Sequence, residues 1–108
     1  MSQIPTREVG DLPADFVLLD VREPHEWEAG HAPQALHIPM GQLPDRLGEL
    51  QTDQELIVVC HVGGRSARST AWLLSQGVDC SNLAGGMLAW AAAGRPLVSE
   101  TGAPPVVD

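Results

Sequence analysis

The chain has no lysine. Its positive charge rests on six arginines against 14 acidic residues, giving a formal net charge of −8. A surface this acidic repels the phosphates of nucleic acid and the anionic face of a membrane, so neither is an expected partner. Any anion-binding site must therefore be local, made by backbone amides and one or two arginines. Long apolar runs are also missing, and none approaches the roughly 20 residues that span a bilayer. The opening Met-Ser-Gln-Ile-Pro-Thr-Arg-Glu lacks the basic region and apolar stretch of a signal peptide. Cysteine is scarce, with only Cys60 and Cys80. That argues against a disulfide scaffold and predicts a reducing, cytoplasmic setting. The 108 residues, 44% of them apolar, suffice for one globular domain with a single core.

Strand-like and helix-like segments alternate along the chain. Phe16 to Leu19 is a fully apolar run ending in Asp20, as suits a strand buried on both faces. Glu23 to Gly30 predicts a short helix with Pro24 in its first turn, acids near its positive end and Gly30 as its stop. Ala35 to Pro39, bounded by prolines, predicts a weak or terminal strand. Met40, Leu43, Leu47 and Leu50 share one helical face, with Gly41 and Pro44 breaking the first turn. Leu56 to Val59 is the clearest central strand. Ala67, Ala71, Leu74 and Val78 then form an apolar stripe that Gly77 terminates. A short strand near Asp79 to Leu83 leads through Gly85-Gly86 to a helix over Met87 to Ala93. This βα alternation predicts an α/β fold with a mainly parallel sheet covered on both faces. Sites in such sheets lie at the carboxyl ends of strands, where Asp20 and Cys60 both fall.

Between the central strand and its helix lie Cys60-His61-Val62-Gly63-Gly64-Arg65, followed by Ser66. A cysteine at a strand end, a Gly-containing turn and a helix start together favour a thiolate. The turn directs successive N–H groups inward, and the helix N-terminus adds about half a positive charge. Both oppose the thiol's ordinary pKa of about 8.5. The same cradle suits an anionic substrate, with Arg65 as a charge partner. A plain buried cysteine would not require two glycines and an arginine directly after it.

Three blocks resemble the single-domain rhodaneses, thiosulfate-type sulfurtransferases. The first runs from Asp20-Val21-Arg22-Glu23-Pro24-His25-Glu26-Trp27 through Gly30-His31-Ala32-Pro33 to Ala35. The second is the Cys60 to Arg65 loop. The third is Leu83-Ala84-Gly85-Gly86-Met87-Leu88-Ala89-Trp90 with Gly94 and Pro96. The resemblance, covering about residues 15 to 97, implies a five-stranded parallel sheet between helices; the small, Pro-containing residues 99–108 predict a frayed tail after a domain over 1–98. The resemblance also implies that Cys60 alternates between thiolate and persulfide. Cys60 would take sulfur from an anion such as thiosulfate and pass it to cyanide or a thiol, with no metal or organic cofactor. The amides from His61 to Ser66 would hold the charge. Phosphatases that share this fold carry a loop one residue longer, whereas four residues here separate Cys60 from Arg65. The shorter ring suits sulfur transfer rather than phosphate or arsenate chemistry. Members lacking the cysteine serve as interaction modules. With Cys60 retained, the competing expectation is a sulfur relay docking on a partner protein, and monomer is the default state.

Other residues have plainer expectations. Arg65 either orients the donor, locks the loop or bridges a neighbouring acid. Asp20 and Arg22 hold loops by hydrogen bonds near the site, and Glu26, four residues after Arg22, could pair with it. Arg68 is solvated. His25, His31 and His37 are six apart, a spacing that suits no zinc pair on a helix. His61 either adds positive charge beside the donor or points outward. Cys80 is a buried apolar residue or, less simply, a resolving thiol. Trp27, Trp72 and Trp90 belong to the core or its rim, and Gly85-Gly86 lacks the rest of a nucleotide motif.

Overall fold

The computed structural model describes residues 4–107. Five strands form one parallel sheet: β1 (Thr6–Arg7), β2 (Phe16–Asp20), β3 (Leu36–His37), β4 (Glu55–Val59) and β5 (Ser81–Leu83), in spatial order β1-β5-β4-β2-β3. The helices are α1 (Pro24–Ala29), α2 (Gly64–Ser75) and α3 (Gly86–Ala92), with 3-10 segments at Val9–Asp11 and Met40–Leu50. The two-residue edge strand β1 has no apolar run of its own. Its pairing with β5 alone makes it a strand.

The apolar runs of β2 and β4 sort onto two faces because successive side chains in a strand point opposite ways. Val17, Leu19, Leu56 and Val58 pack on one side, with Leu43, Leu50 and Leu73 from the Met40–Leu50 segment and α2. Phe16, Leu18, Ile57 and Val59 pack on the other, with Met87 and Trp90 from α3. Trp90 is fully buried and donates its indole N–H to the Pro96 carbonyl at 2.9 Å. β2 and β4 run in register from Phe16↔Glu55 to Asp20↔Val59. Asp20 and the residue before Cys60 are therefore neighbours at the carboxyl end of the sheet.

Three expectations are corrected. The face of α2 that is buried is Ser66, Ser69, Thr70 and Leu73, while Ala71 is exposed and Ala67 and Leu74 are half-buried. Small hydroxyl side chains let this helix lie close to the sheet, so the apolar stripe misidentified its inner side by one position. The Met40–Leu50 segment keeps the expected inward residues Leu43 and Leu50 but is 3-10 in form, interrupted at Arg46 (φ −126°). Pro44 lacks the N–H that an α-helix needs there, and long 3-10 runs break readily. In place of a frayed tail, the closing residues lie along α1. His31 and Val98 exchange backbone hydrogen bonds, Glu100 N–H donates to the Glu28 carbonyl, and Val106 N–H donates to that of Ala29. Val107 packs against the second core, and residue 108 lies outside the described residues.

Candidate functional site

Cys60 leaves β4 at the carboxyl end of the sheet and is 1% exposed. Its Sγ accepts the Gly63 N–H at 3.1 Å and faces the Ser66 hydroxyl at 3.3 Å. Gly63 can aim its amide so because it adopts φ +122°, where a side chain would be strained. The Ser66 hydroxyl has one proton to give and also lies 3.2 Å from the Gly63 carbonyl, so ionisation of the thiol draws that proton to sulfur. Burial is the largest single influence on Cys60 and works against ionisation. The Ser66 hydroxyl and the amides of Ser66, Gly63 and Arg65 together outweigh it and hold the thiol below its ordinary value. Ser66 was picked out by sequence only as part of the amide loop, and its hydroxyl is the first finding that needed the fold. Ser66→Ala should move the midpoint of Cys60 alkylation by iodoacetamide to higher pH, and an unmoved midpoint would dismiss the hydroxyl.

The loop is supported from behind by α3. Met87 N–H donates to the Cys60 carbonyl at 2.8 Å and Leu88 N–H to that of His61 at 3.2 Å. The approach needs Gly86, at φ +57°, since a Cβ there would come within 2.4 Å of the His61 oxygen and 2.5 Å of the Cys60 oxygen. The Gly85-Gly86 pair thus seats the cysteine loop, a role its local sequence does not disclose. Asn82, buried on β5, flanks Gly63 from the same side. His61 is half-buried in the loop and Val62 is 58% exposed at its rim.

Arg65 is committed to Glu26, with two hydrogen bonds of 2.6 and 2.8 Å. The expected Glu26–Arg22 pairing is not formed, because Arg22 precedes α1 and its side chain turns inward to Asp20. Glu26 sits in the first turn of α1 and also accepts the Glu23 N–H at 3.0 Å, closing a capping box. The Arg65 hydrogen bonds, set against burial and aided by the cap, lower the Glu26 carboxyl to about 2 from its ordinary 4.5. A depressed carboxylate stabilises the fold fully above its unfolded value and loses that contribution as pH falls toward 2. With Arg65 partly exposed, the pair is worth about 1–2 kcal/mol. Glu26→Gln should therefore be less stable than the parent by that amount at neutral pH. The gap in urea-unfolding free energy should close between pH 4.5 and 2, and a pH-independent gap would contradict it.

Asp20 and Arg22 form a fully buried ion pair, with Arg22 Nη2 at 2.8 Å from the carboxylate and 2.8 Å from the Gly30 carbonyl. They tie the β2–α1 turn to Gly30 at the end of α1. Trp27 stacks between His31 and His37, with centroids 3.5 and 4.6 Å away. The six-residue histidine spacing thus brackets an indole. Among the described residues, no three His, Cys, Asp or Glu side chains are grouped to hold a metal, and no helix is long and apolar enough to cross a membrane. Cys80 is buried, with its thiol against the Thr70 carbonyl at 3.8 Å; burial, then the Asp79 charge, pushes it up to about 11. A cleft of about 800 Å³ lies at the amino ends of β4 and β5, opposite Cys60, and takes no part in this arrangement.

Comparison with known proteins agrees with this fold. The family model described as rhodanese-like domain matches residues 7–93. A sulfurtransferase of Allochromatium vinosum is 39% identical over 89 residues, covering 82% of this chain and 83% of that protein. The crystal structure of a rhodanese-related protein from Thermoplasma volcanium superposes with TM-score 0.80 at 30% identity, covering 87% of this chain and 97% of that one. A thiosulfate sulfurtransferase from Pseudomonas aeruginosa gives TM-score 0.79 at 27% identity, covering 91% of this chain and 21% of that one.

Proposed function

This chain belongs to the rhodanese-like domain family, and on that premise we propose that it transfers sulfane sulfur through a persulfide on Cys60. The observation that carries the reading is the buried Sγ held by the Gly63 amide and the Ser66 hydroxyl. A thiolate so held attacks the outer sulfur of thiosulfate. The new S–S bond leaves an anionic persulfide on Cys60, and the cleaved bond releases sulfite with its electron pair. Cyanide or a thiolate then attacks the outer sulfur, carrying it off and returning the Cys60 thiolate, so ping-pong kinetics follow. Thiosulfate as donor is supported by the likeness to the Pseudomonas aeruginosa enzyme, and sulfur transfer by the Allochromatium vinosum relative. The amides that hold the thiolate also suit the terminal sulfur anion, an electrostatic role that needs no rearrangement.

A cysteine-dependent phosphatase needs its loop arginine free to hold phosphate. Arg65 is instead bonded on both forks to Glu26, which favours sulfur transfer. Val62 and Leu88, 58% and 46% exposed beside the loop, favour a second reading in which the acceptor thiol belongs to a docking protein, a sulfur relay. Incubation with thiosulfate should add one sulfur atom to the intact mass, and cyanide should remove it as thiocyanate. Failure to gain sulfur from thiosulfate or an organic persulfide, alongside hydrolysis of 4-nitrophenyl phosphate, would overturn the proposal.

A further inference from the structure

Arg68 differs from the other five arginines. Arg7, Arg22, Arg46 and Arg65 each pair with a carboxylate. Arg95 donates toward the Val9 carbonyl and lies over the Trp90 ring. Arg68 is exposed on α2 and has no such partner among the described residues. In a chain of net charge −8, acids are plentiful, so a guanidinium without one is an available cation.

It stands at the rim of a cavity of about 310 Å³, bounded by Met40, Leu43, Pro44, Ser69 and Trp72. The wall is mainly carbon: a thioether, a leucine, a proline ring and an indole. The polar exception is Ser69, which is 2% exposed and whose hydroxyl has no hydrogen-bond partner. An apolar concavity with one cation at its rim has the form of a small-molecule site, and its volume lies at the small end of that class. A nucleic acid or membrane would need several free cations.

We propose that this cavity binds a small amphipathic anion. An apolar body no larger than two fused rings packs on Trp72, Met40 and Leu43. Its carboxylate or sulfonate pairs with Arg68. The site is distinct from the Cys60 chemistry, although α2 also carries Ser66, whose hydroxyl faces that thiol.

Naphthalene-2-sulfonate is the probe, titrated calorimetrically and by amide and indole chemical shifts. Saturable one-to-one binding is expected, with the Trp72 indole among the shifted signals. Arg68→Gln should weaken it about tenfold, the scale of one charge-assisted hydrogen bond. Arg7→Gln, which removes the same charge at β1, should leave it unchanged. Arg68 is exposed, so its replacement does not threaten the fold. No saturation, shifts confined to other regions, or equal affinity in the two arginine variants would overturn the proposal. Equal binding of the neutral 2-naphthalenemethanol would overturn it too, pointing to an apolar side chain of a partner protein as the occupant.

Discussion

Replacing Cys60 by serine should abolish sulfur uptake from thiosulfate and reduce turnover on the order of 10⁴-fold or more, as loss of a covalent nucleophile does. Serine keeps the shape of the side chain but not the acidity. A hydroxyl among the same donors stays protonated at neutral pH, and an alkoxide is a poor carrier of sulfane sulfur. The other thiol cannot substitute: Cys80 is buried against the Thr70 carbonyl and raised to about 11. Intact mass after thiosulfate treatment should rise by one sulfur in the parent and in Cys80→Ser, and not in Cys60→Ser. Equal thermal unfolding of the three proteins separates lost chemistry from lost fold. Sulfur gained by Cys60→Ser, or lost from Cys80→Ser, would assign the reaction to the wrong thiol.

Asp20→Ala should be the most destabilising single change near the site. It leaves the Arg22 guanidinium charged at 0% exposure, with only the Gly30 carbonyl as a side-chain acceptor and with Nη1 already without a partner. Removing one member of a buried pair costs about 3–5 kcal/mol, because the surviving charge is uncompensated. A domain of this size has about 5–15 kcal/mol in total, so the midpoint should fall on the order of 15–30 °C. The double variant Asp20→Leu, Arg22→Met removes both charges and should recover much of the loss, since an apolar pair of similar volume is often no less stable. Urea unfolding followed by circular dichroism reads both. Equal stability of Asp20→Ala and the parent would mean that the pair contributes only position. If the double variant were as unstable as the sum of the singles, the cost would lie in the Gly30 contact.

The features legible in the sequence are those whose cause is local. The apolar runs of β2 and β4 need only their own residues to declare strands buried on both faces. α1 is announced by Glu23, Pro24 and Glu26, a cap whose partners lie within one turn. The cysteine loop was readable for the same reason: a strand end, two glycines and a helix start follow one another in the chain. The inner face of α2 was not readable, because Ser66, Ser69 and Thr70 are buried by how closely the helix meets the sheet. Hydropathy ranks them below Ala67 and Ala71. The frayed tail was misjudged likewise, since its small and proline residues lack a core of their own but find α1 waiting.

By itself the sequence determined an α/β chain with a cysteine at a strand end before a helix and a net charge of −8. Those properties follow from side-chain order, spacing and charge count, which do not depend on what packs against them. Tertiary structure decided which partner each polar group takes. It gave Arg65 to Glu26 across 39 positions, turned Arg22 inward to Asp20, and brought Gly86 against the carbonyls of Cys60 and His61. The reason is that hydrogen bonds and close backbone approach are settled by distance in space. The donors around Cys60 became a site only when α2 and α3 were seated on the sheet.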